Sequence, residues 1–274
     1  MSLRKYIYLP WLMRNETRSI DELCYIQTNK LKRLIHYAYN HVDFYNKTFK
    51  SIGIRPEDIR SIEDLKYLPI IDKKVFHQGE ISKFLDKRIK NKNRLHNIKT
   101  SGTSGTMLSF YIDNKYDQFR KALYLRPYLS NGCKITDKVL RLSIFEQSKK
   151  KWFQRIGLMR EETVDSGDDI YRQIEKIRKF RPSIIQGYGS TLSLIASKIS
   201  EEKIDLPLPR IVFTDSELLT PFLRKKIETG FDAPVIDIYG TFETDNIAYQ
   251  CPEYKEYHIA MDAVIMEFVK DGKL

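Results

Sequence analysis

Seven small residues stand in a row at Thr100-Ser101-Gly102-Thr103-Ser104-Gly105-Thr106, with five hydroxyls and no charge among them. Glycines at 102 and 105 permit backbone angles that a side chain forbids, so successive N–H groups can converge on one concavity. Such a nest, with hydroxyl donors added, suits the oxygens of a polyphosphate. It is not a Walker loop, because no Lys-Ser/Thr follows the second glycine and the sequence after it reads as a strand rather than a helix. Taken alone, the stretch also reads as a Ser/Thr/Gly surface turn. Three other segments pair small residues with polar ones at the ends of apolar runs: Gly187-Tyr188-Gly189, Thr214-Asp215-Ser216-Glu217 and Tyr239-Gly240-Thr241-Phe242-Glu243. Cys251 and His258 are two metal-ligand types, but two ligands are not a site, and a structural histidine beside a small buried cysteine is the plainer reading. The remaining histidines (His36, His41, His77, His96) lie in unlike contexts and suggest no cluster.

These segments need elements to position them. Leu108, Phe110 and Ile112 alternate with Ser109 and Tyr111, which predicts a strand fed directly by the hydroxyl-rich loop. Upstream, Leu31, Leu34, Ile35 and Ala38 share one helical face, with Lys30, Lys32 and Arg33 turned outward. The aromatic patch Tyr37, Tyr39, Phe44 and Tyr45 reads as packing. Ser61-Ile62-Glu63-Asp64-Leu65 is a capped short helix ahead of Pro69, and the basic residues 83–99 read as a connector. Downstream, a helix is predicted from Tyr116 to Leu129, stopped by Gly132, then a strand around Val139, Leu140, Leu142 and Ile144. Residues 145–169 show no clear period.

From Asp169 the order is plainer. Ile170, Ile174 and Ile177 form a helical stripe ended at Arg181-Pro182, and a short buried strand follows at 183–186. Leu192, Ile195, Ala196 and Ile199 make the next helix, and 210–214 the next strand. Thr220-Pro221 starts another helix, with a hydroxyl cap and proline in the first turn. That helix uses Leu223 and Ile227 and stops at Gly230, before the strand Val235-Ile236-Asp237-Ile238-Tyr239. Strands alternating with helices over short links imply a parallel sheet. Ligands of such sheets bind beyond the strand C-termini, where the three polar segments fall. A last strand is predicted at 264–269.

The formal charge of +11 raises nucleic acid as a partner. No zinc-finger spacing, RNA-recognition signature or arginine-rich tail accompanies it, so a solvated face, or attraction of a polyanionic small substrate such as ATP or coenzyme A, accounts for it better. No apolar run approaches the ~20 residues of a membrane helix, and the first ten residues lack a signal-peptide core. Three scattered cysteines fit a reducing cytoplasm.

The loop and the later motif together resemble the adenylate-forming enzymes, the acyl-coenzyme A synthetase superfamily. Thr100-Ser101-Gly102-Thr103-Ser104-Gly105 is similar to that family's phosphate loop, and Tyr239-Gly240-Thr241-Phe242-Glu243 to its Tyr-Gly-x-x-Glu element. The lead-in from Tyr45 to Pro69 resembles the phenylacetate–coenzyme A ligase branch. Trp152 to Leu158, Ile177-Arg178-Lys179-Phe180-Arg181-Pro182 and Gly187-Tyr188 resemble its relatives associated with capsular polysaccharide. The resemblance covers about residues 30–274 and implies an α/β fold, the large N-terminal domain of an adenylate-forming enzyme with a parallel sheet flanked by helices. It implies a helical lead-in at 1–95 packed on a nucleotide-binding core at 96–274. The activity implied is activation of a carboxylic acid by ATP as an acyl-adenylate, followed by transfer to coenzyme A.

Residue by residue, the resemblance implies that Thr100, Ser101, Gly102, Thr103, Ser104, Gly105 and Thr106 hold the β- and γ-phosphates. Glu243 would bind Mg²⁺, Tyr239 would stack on adenine beside Gly240, and Ser216 and Glu217 would line the nucleotide's other side. Thr241 would donate to the α-phosphate, and Tyr188 and Gly189 would border the acyl pocket. Blander readings stand beside these: Tyr239 as a packed core residue, Glu243 as a helix N-terminal carboxylate, Glu217 as a cap of the Thr220 helix. The chain departs from the family pattern at Thr106-Met107-Leu108, which lacks the lysine many relatives carry shortly after the loop, and at Phe242, where a hydroxyl residue is often found. The ribose-binding aspartate and the small mobile domain that follow in the family are also expected to be absent. A nucleotide-binding module without chemistry is therefore the alternative, with a homodimer among its open assemblies.

Overall fold

The computed structural model describes residues 5–99, 108–144, 152–251, 253 and 255–268. The loop Thr100–Thr106 and the residues after 268 lie outside them. The chain divides into two compact units, one of Met1–Tyr124 with Phe242–Asp245 and Ala260–Leu274, the other of Leu125–Thr241 with Asn246–Ile259.

The first unit is mainly helical, with α1 (Lys5–Asn15), α2 (Ile20–His41), α3 (Asp43–Ser51) and α4 (Lys73–Gln78). Ser19 opens α2 with a reciprocal cap: its hydroxyl accepts from the Glu22 N–H, and the Glu22 carboxylate accepts from the Ser19 N–H. Leu31, Ile35 and Ala38 are buried as predicted, whereas Leu34 is 62% exposed. The buried stripe, which starts at Gln27, is narrow, and Leu34 falls just past its edge. Tyr39 and Tyr45 pack on Leu31, Ile35 and Phe49, and Phe44 packs on Phe84 and Phe76, so these three aromatics are packing, whereas Tyr37 is exposed and donates its hydroxyl to Asp86. Residues 62–67 form a 3-10 turn whose N–H groups at Arg60 and Ser61 donate to the Asp64 carboxylate.

The expected connector ends in a strand: β1 (His96–Lys99) pairs antiparallel with β2 (Ser109–Ile112), so the hydroxyl-rich loop joins two strands of one hairpin. Its basic residues Lys83, Lys87, Lys90, Lys92 and Arg94 are exposed, as a solvated face should be. The strand expected at 264–269 does not form over its described residues 264–268. Side chains take the polar groups there that a neighbouring strand would have taken. Gln27 donates to the Val264 carbonyl, Lys30 to the Asp262 carbonyl, and buried Asn15 to the Asp262 carboxylate.

The second unit holds a sheet in the order β4-β3-β5-β6-β7-β8-β9. Its strands are β3 (Lys138–Leu142), β4 (Arg160–Val164), β5 (Ile184–Tyr188), β6 (Ile211–Asp215), β7 (Val235–Thr241), β8 (Asp245–Gln250) and β9 (Tyr257–Ile259). Pairs β3/β4, β3/β5, β5/β6 and β6/β7 are parallel, and β8/β9 antiparallel. The helix α5 (Asn114–Ser130) ends in this unit, which also contains α6 (Trp152–Arg155), α7 (Ile170–Phe180), α8 (Gly189–Glu202) and α9 (Pro221–Phe231). Ile174, Ile177, Leu192, Ile195 and Ile227 bury their stripes against Leu140, Ile185, Val212 and Val235 of the sheet. Thr220 caps α9 by accepting from the Leu223 N–H, and Arg181 ends α7 in the left-handed conformation at φ 52°.

Residues 145–169, read as irregular, contain α6 and the edge strand β4. Arg160-Glu161-Glu162-Thr163 hides its strand character because it carries charge on both faces. Ion pairs Arg141–Glu161 and Lys176–Glu162 satisfy that charge.

Candidate functional site

Strands β5, β6 and β7 run parallel and in register, so Tyr188, Asp215 and Thr241 close them at one edge. Because β3 lies between β4 and β5, winding reverses at the β3/β5 boundary, the switch point at which open sheets of this kind bind ligands. Gly187 is required there: a Cβ at this position would lie 2.9 Å from Leu142 Cβ.

Two rows of polar side chains underlie the edge, one on each face of the sheet. In the first, the Tyr128 hydroxyl donates to Gln186 Oε1, Gln186 Nε2 donates to Asp215, and Ser216 Oγ donates to the other Asp215 oxygen at 2.8 Å. Ser216 is exposed and adopts φ 64°, a left-handed conformation uncommon for a residue with a side chain. In the second row, the buried Asp237 carboxylate accepts from the hydroxyls of Thr214 and Tyr257, and Arg224 donates to the Val235 carbonyl and to Gln250.

Burial pushes the Asp237 carboxyl above its ordinary value. Over the window from about pH 3.9 up to that raised value, the folded state keeps a proton that the unfolded state has released. Stability therefore falls as pH rises through the window and stays lower above it. Asp237→Asn cannot titrate, so urea midpoints of this variant between pH 4 and 7 should decline less than those of the parent. Equal declines would remove Asp237 from the account.

Glu217 spends its carboxylate on α8. It accepts from the Ser190 N–H and from the Ser190 hydroxyl, both at 2.9 Å. It is thus a cap, but of α8 and not of the Thr220 helix, and it fills the helix N-terminus that would otherwise attract a phosphate. Tyr239 is 51% exposed, so it is not a packed core residue, and Gly240 and Thr241 are exposed beside it. Tyr188 is half-buried, with burial and the Asp215 charge pushing its phenol up. Gly189 is buried at the start of α8.

Glu243 belongs to the first unit, in the turn at 242–244 that follows β7. It stands on no helix, so the dipole reading is corrected. The side chain is half-buried, and among the described residues its carboxylate has no hydrogen bond or ion pair. Tyr116 on α5 donates its hydroxyl to the Glu243 carbonyl at 3.2 Å. One helical turn on, Arg120 faces the Asp245 carboxylate at 3.5 Å. Neither Tyr116 nor Arg120 was marked by sequence, since only their i, i+4 spacing hints at a shared face. An uncommitted carboxylate suits Mg²⁺, a hard cation often held by one or two carboxylates with phosphate and water oxygens.

Cys251 is half-buried, and His258 Nε2 lies 3.1 Å from its Sγ on the exposed strand β9. This pair is neither a buried cysteine nor a core histidine. Among the described residues no three His, Cys, Asp or Glu side chains group to hold a metal ion, and no helix is long and apolar enough to cross a membrane.

No family model matches the chain. In sequence it is similar to Protein CapK of Staphylococcus aureus, 29% identical over 238 residues that cover 82% of this chain and 51% of that protein. It is also similar to the phenylacetate-coenzyme A ligase of Pseudomonas putida, 28% identical over 282 residues covering 94% of this chain and 62% of that one. The phenylacetate-coenzyme A ligase of Escherichia coli (strain K12) matches at 27% over 249 residues, 87% of this chain and 56% of that one. The chain thus spans half to three-fifths of the length of these relatives. In fold it matches 2-hydroxyisobutyryl-CoA ligase in the postadenylation state, with a TM-score of 0.70 at 19% identity over 85% of this chain and 52% of that one. The expected α/β architecture, a parallel sheet flanked by helices as in adenylate-forming enzymes, is the one found.

Proposed function

From a chain related in sequence to the phenylacetate–coenzyme A ligases and built on the fold of adenylate-forming acyl-CoA ligases, we propose a part in ATP-dependent activation of a carboxylic acid. The product is an acyl-adenylate, and coenzyme A is the thiol that then takes the acyl group. The observation that carries this reading is the half-buried Glu243 carboxylate, left without a partner among the described residues directly after the exposed Tyr239-Gly240-Thr241 end of β7.

In this reaction an oxygen of the acid attacks the α-phosphorus in line and pyrophosphate leaves, so the protein's work is positioning and charge neutralisation. Magnesium, when bound, neutralises charge on the phosphate oxygens, and Glu243 holds it. Amides and hydroxyls of Thr100–Thr106 donate to the β- and γ-phosphates. Tyr239 stacks on adenine and Ser216, fixed by Asp215, borders the nucleotide. Thr241 donates to the α-phosphate, and Tyr188 and Gly189 border the acyl group. Likeness to CapK, and to capsule-associated relatives at residues 152–188, is what supports a setting in surface polysaccharide biosynthesis.

Pyrophosphate exchange into ATP that depends on an added aryl or short-chain acid tests the reading, measured on this chain and on the whole polypeptide its reading frame encodes. Exchange in the whole polypeptide supports it; none with any acid overturns it. Tyr239→Ala should raise the KM for ATP about tenfold, since losing a base–aromatic stack costs roughly 1–3 kcal/mol, with the KM for acid unchanged. A second reading, nucleotide binding without chemistry, is favoured by the absence of a lysine from Thr106-Met107-Leu108 and by Phe242, which offers no hydroxyl beside Glu243. ATP that raises the melting temperature without supporting exchange would select it.

A further inference from the structure

We propose that the Arg120–Asp245 pair beside the turn at 242–244 sets the cation affinity of Glu243, with Tyr116 fixing the turn that carries Glu243. This rests on the reading of Glu243 as the magnesium carboxylate.

The geometry is built from one helix face and one turn of the same unit. Tyr116 and Arg120 are four apart on α5, so both point the same way. The Tyr116 hydroxyl holds the Glu243 carbonyl at 3.2 Å, and Arg120 Nη2 lies 3.5 Å from Asp245 Oδ2. Asp245 adopts φ 69°, a left-handed conformation that Asp tolerates better than most residues with a side chain. The two side chains of the pair are only 12% and 22% exposed, so solvent screens their charges weakly. Tyr116 holds Glu243 and Arg120 faces Asp245 two residues on, so the pair lies beside the stretch that carries Glu243. Arg120 Nε is buried with no hydrogen-bond partner. Its guanidinium therefore has donor capacity that Asp245 does not use.

The consequence follows from sign. Arg120 opposes a cation at Glu243, and Asp245 favours one. As a pair they nearly cancel, which keeps the affinity of a single carboxylate low until phosphate oxygens complete the coordination. Removing one charge of the pair leaves the other's sign uncancelled at Glu243.

The test is Mn²⁺ binding, read by the free-ion electron paramagnetic resonance signal in the presence of a non-hydrolysable ATP analogue, on the full chain. Arg120→Met should tighten Mn²⁺ binding and Asp245→Asn should weaken it. Each change is roughly tenfold or more, the scale of one unit charge within about ten ångströms at an effective dielectric near 20. The double variant, which leaves no unpaired buried charge, should return to within twofold of the parent, and Arg120→Lys should stay near it. Both single variants moving the same way, or neither moving in chains that melt cooperatively, would overturn the proposal. Glu243→Gln separates the two layers. Unchanged Mn²⁺ binding in that variant sinks the reading of Glu243 and this proposal with it. Weakened binding there, without opposite shifts at 120 and 245, sinks this proposal alone.

Discussion

Glu243→Gln in the whole polypeptide is expected to lower acid-dependent pyrophosphate exchange about 10²- to 10³-fold while leaving the fold intact. The size follows from what one preorganised charge-stabilising group contributes in a water-poor site, roughly 2.7–4 kcal/mol. The intact fold follows from the geometry. The carboxylate makes no hydrogen bond or ion pair among the described residues, and the contact that holds this residue, from Tyr116, is made to its carbonyl. Glutamine keeps that carbonyl and nearly the same volume, so unfolding free energy should move by less than about 0.5 kcal/mol. The kinetic pattern discriminates further. If Glu243 contributes only to holding Mg·ATP, the KM for Mg·ATP rises with kcat unchanged; if it acts on charge developing at the α-phosphate, kcat falls with it. Exchange within threefold of the parent would show that the residue holds no essential cation.

What sequence could disclose here was set by how far apart the interacting residues lie. The α8 stripe Leu192-Ile195-Ala196-Ile199 and the Thr220-Pro221 start of α9 rest on local periods and caps, and both stand in the structure as read. The parallel order of β5, β6 and β7 followed from the same alternation. Strand β4 was missed because Glu161 and Glu162 find their cations on β3 and α7, partners that no local period can display. The expected strand at 264–269 fails for the mirror reason, since Gln27 reaches across 237 residues to take its first carbonyl. At the site, the exposure of Tyr239 rules out its reading as a packed core residue, and the turn at 242–244 rules out a helix dipole at Glu243. Glu217 caps α8 and not the Thr220 helix that its position suggested, because its partner Ser190 sits 27 residues earlier at another helix start. Tyr116 and Arg120, at separations of 127 and 125 from their partners, carry no signal beyond their i, i+4 spacing.

Gly230→Val should be the most damaging single change in the second unit, costing about 3 kcal/mol or more. A Cβ built at 230 lies 2.5 Å from Ala196 Cβ and 2.6 Å from both Ala196 Cα and its carbonyl oxygen. Backbone atoms cannot rotate aside, so α9 would have to move off α8, breaking contacts that bury Ile195 and Ile227 completely. Overpacking of this kind commonly costs 1–3 kcal/mol and sometimes more. Alanine at 230 meets the same clash but gains up to about 1 kcal/mol of helix propensity over glycine, so its net cost should be smaller, near 2 kcal/mol. The damage should reach the sheet edge. The segment Ser216-Glu217 leads directly into α9, and Glu217 is what caps α8. Displacing α9 therefore loosens that cap and the left-handed Ser216 together, and ATP should protect Gly230→Ala against thermal unfolding less than it protects the parent. Urea unfolding followed by circular dichroism gives the stability term, and pairing Gly230→Ala with Ala196→Gly should recover part of it by removing one of the three clashing atoms. A Gly230→Ala chain as stable as the parent would mean that α8 and α9 do not approach this closely.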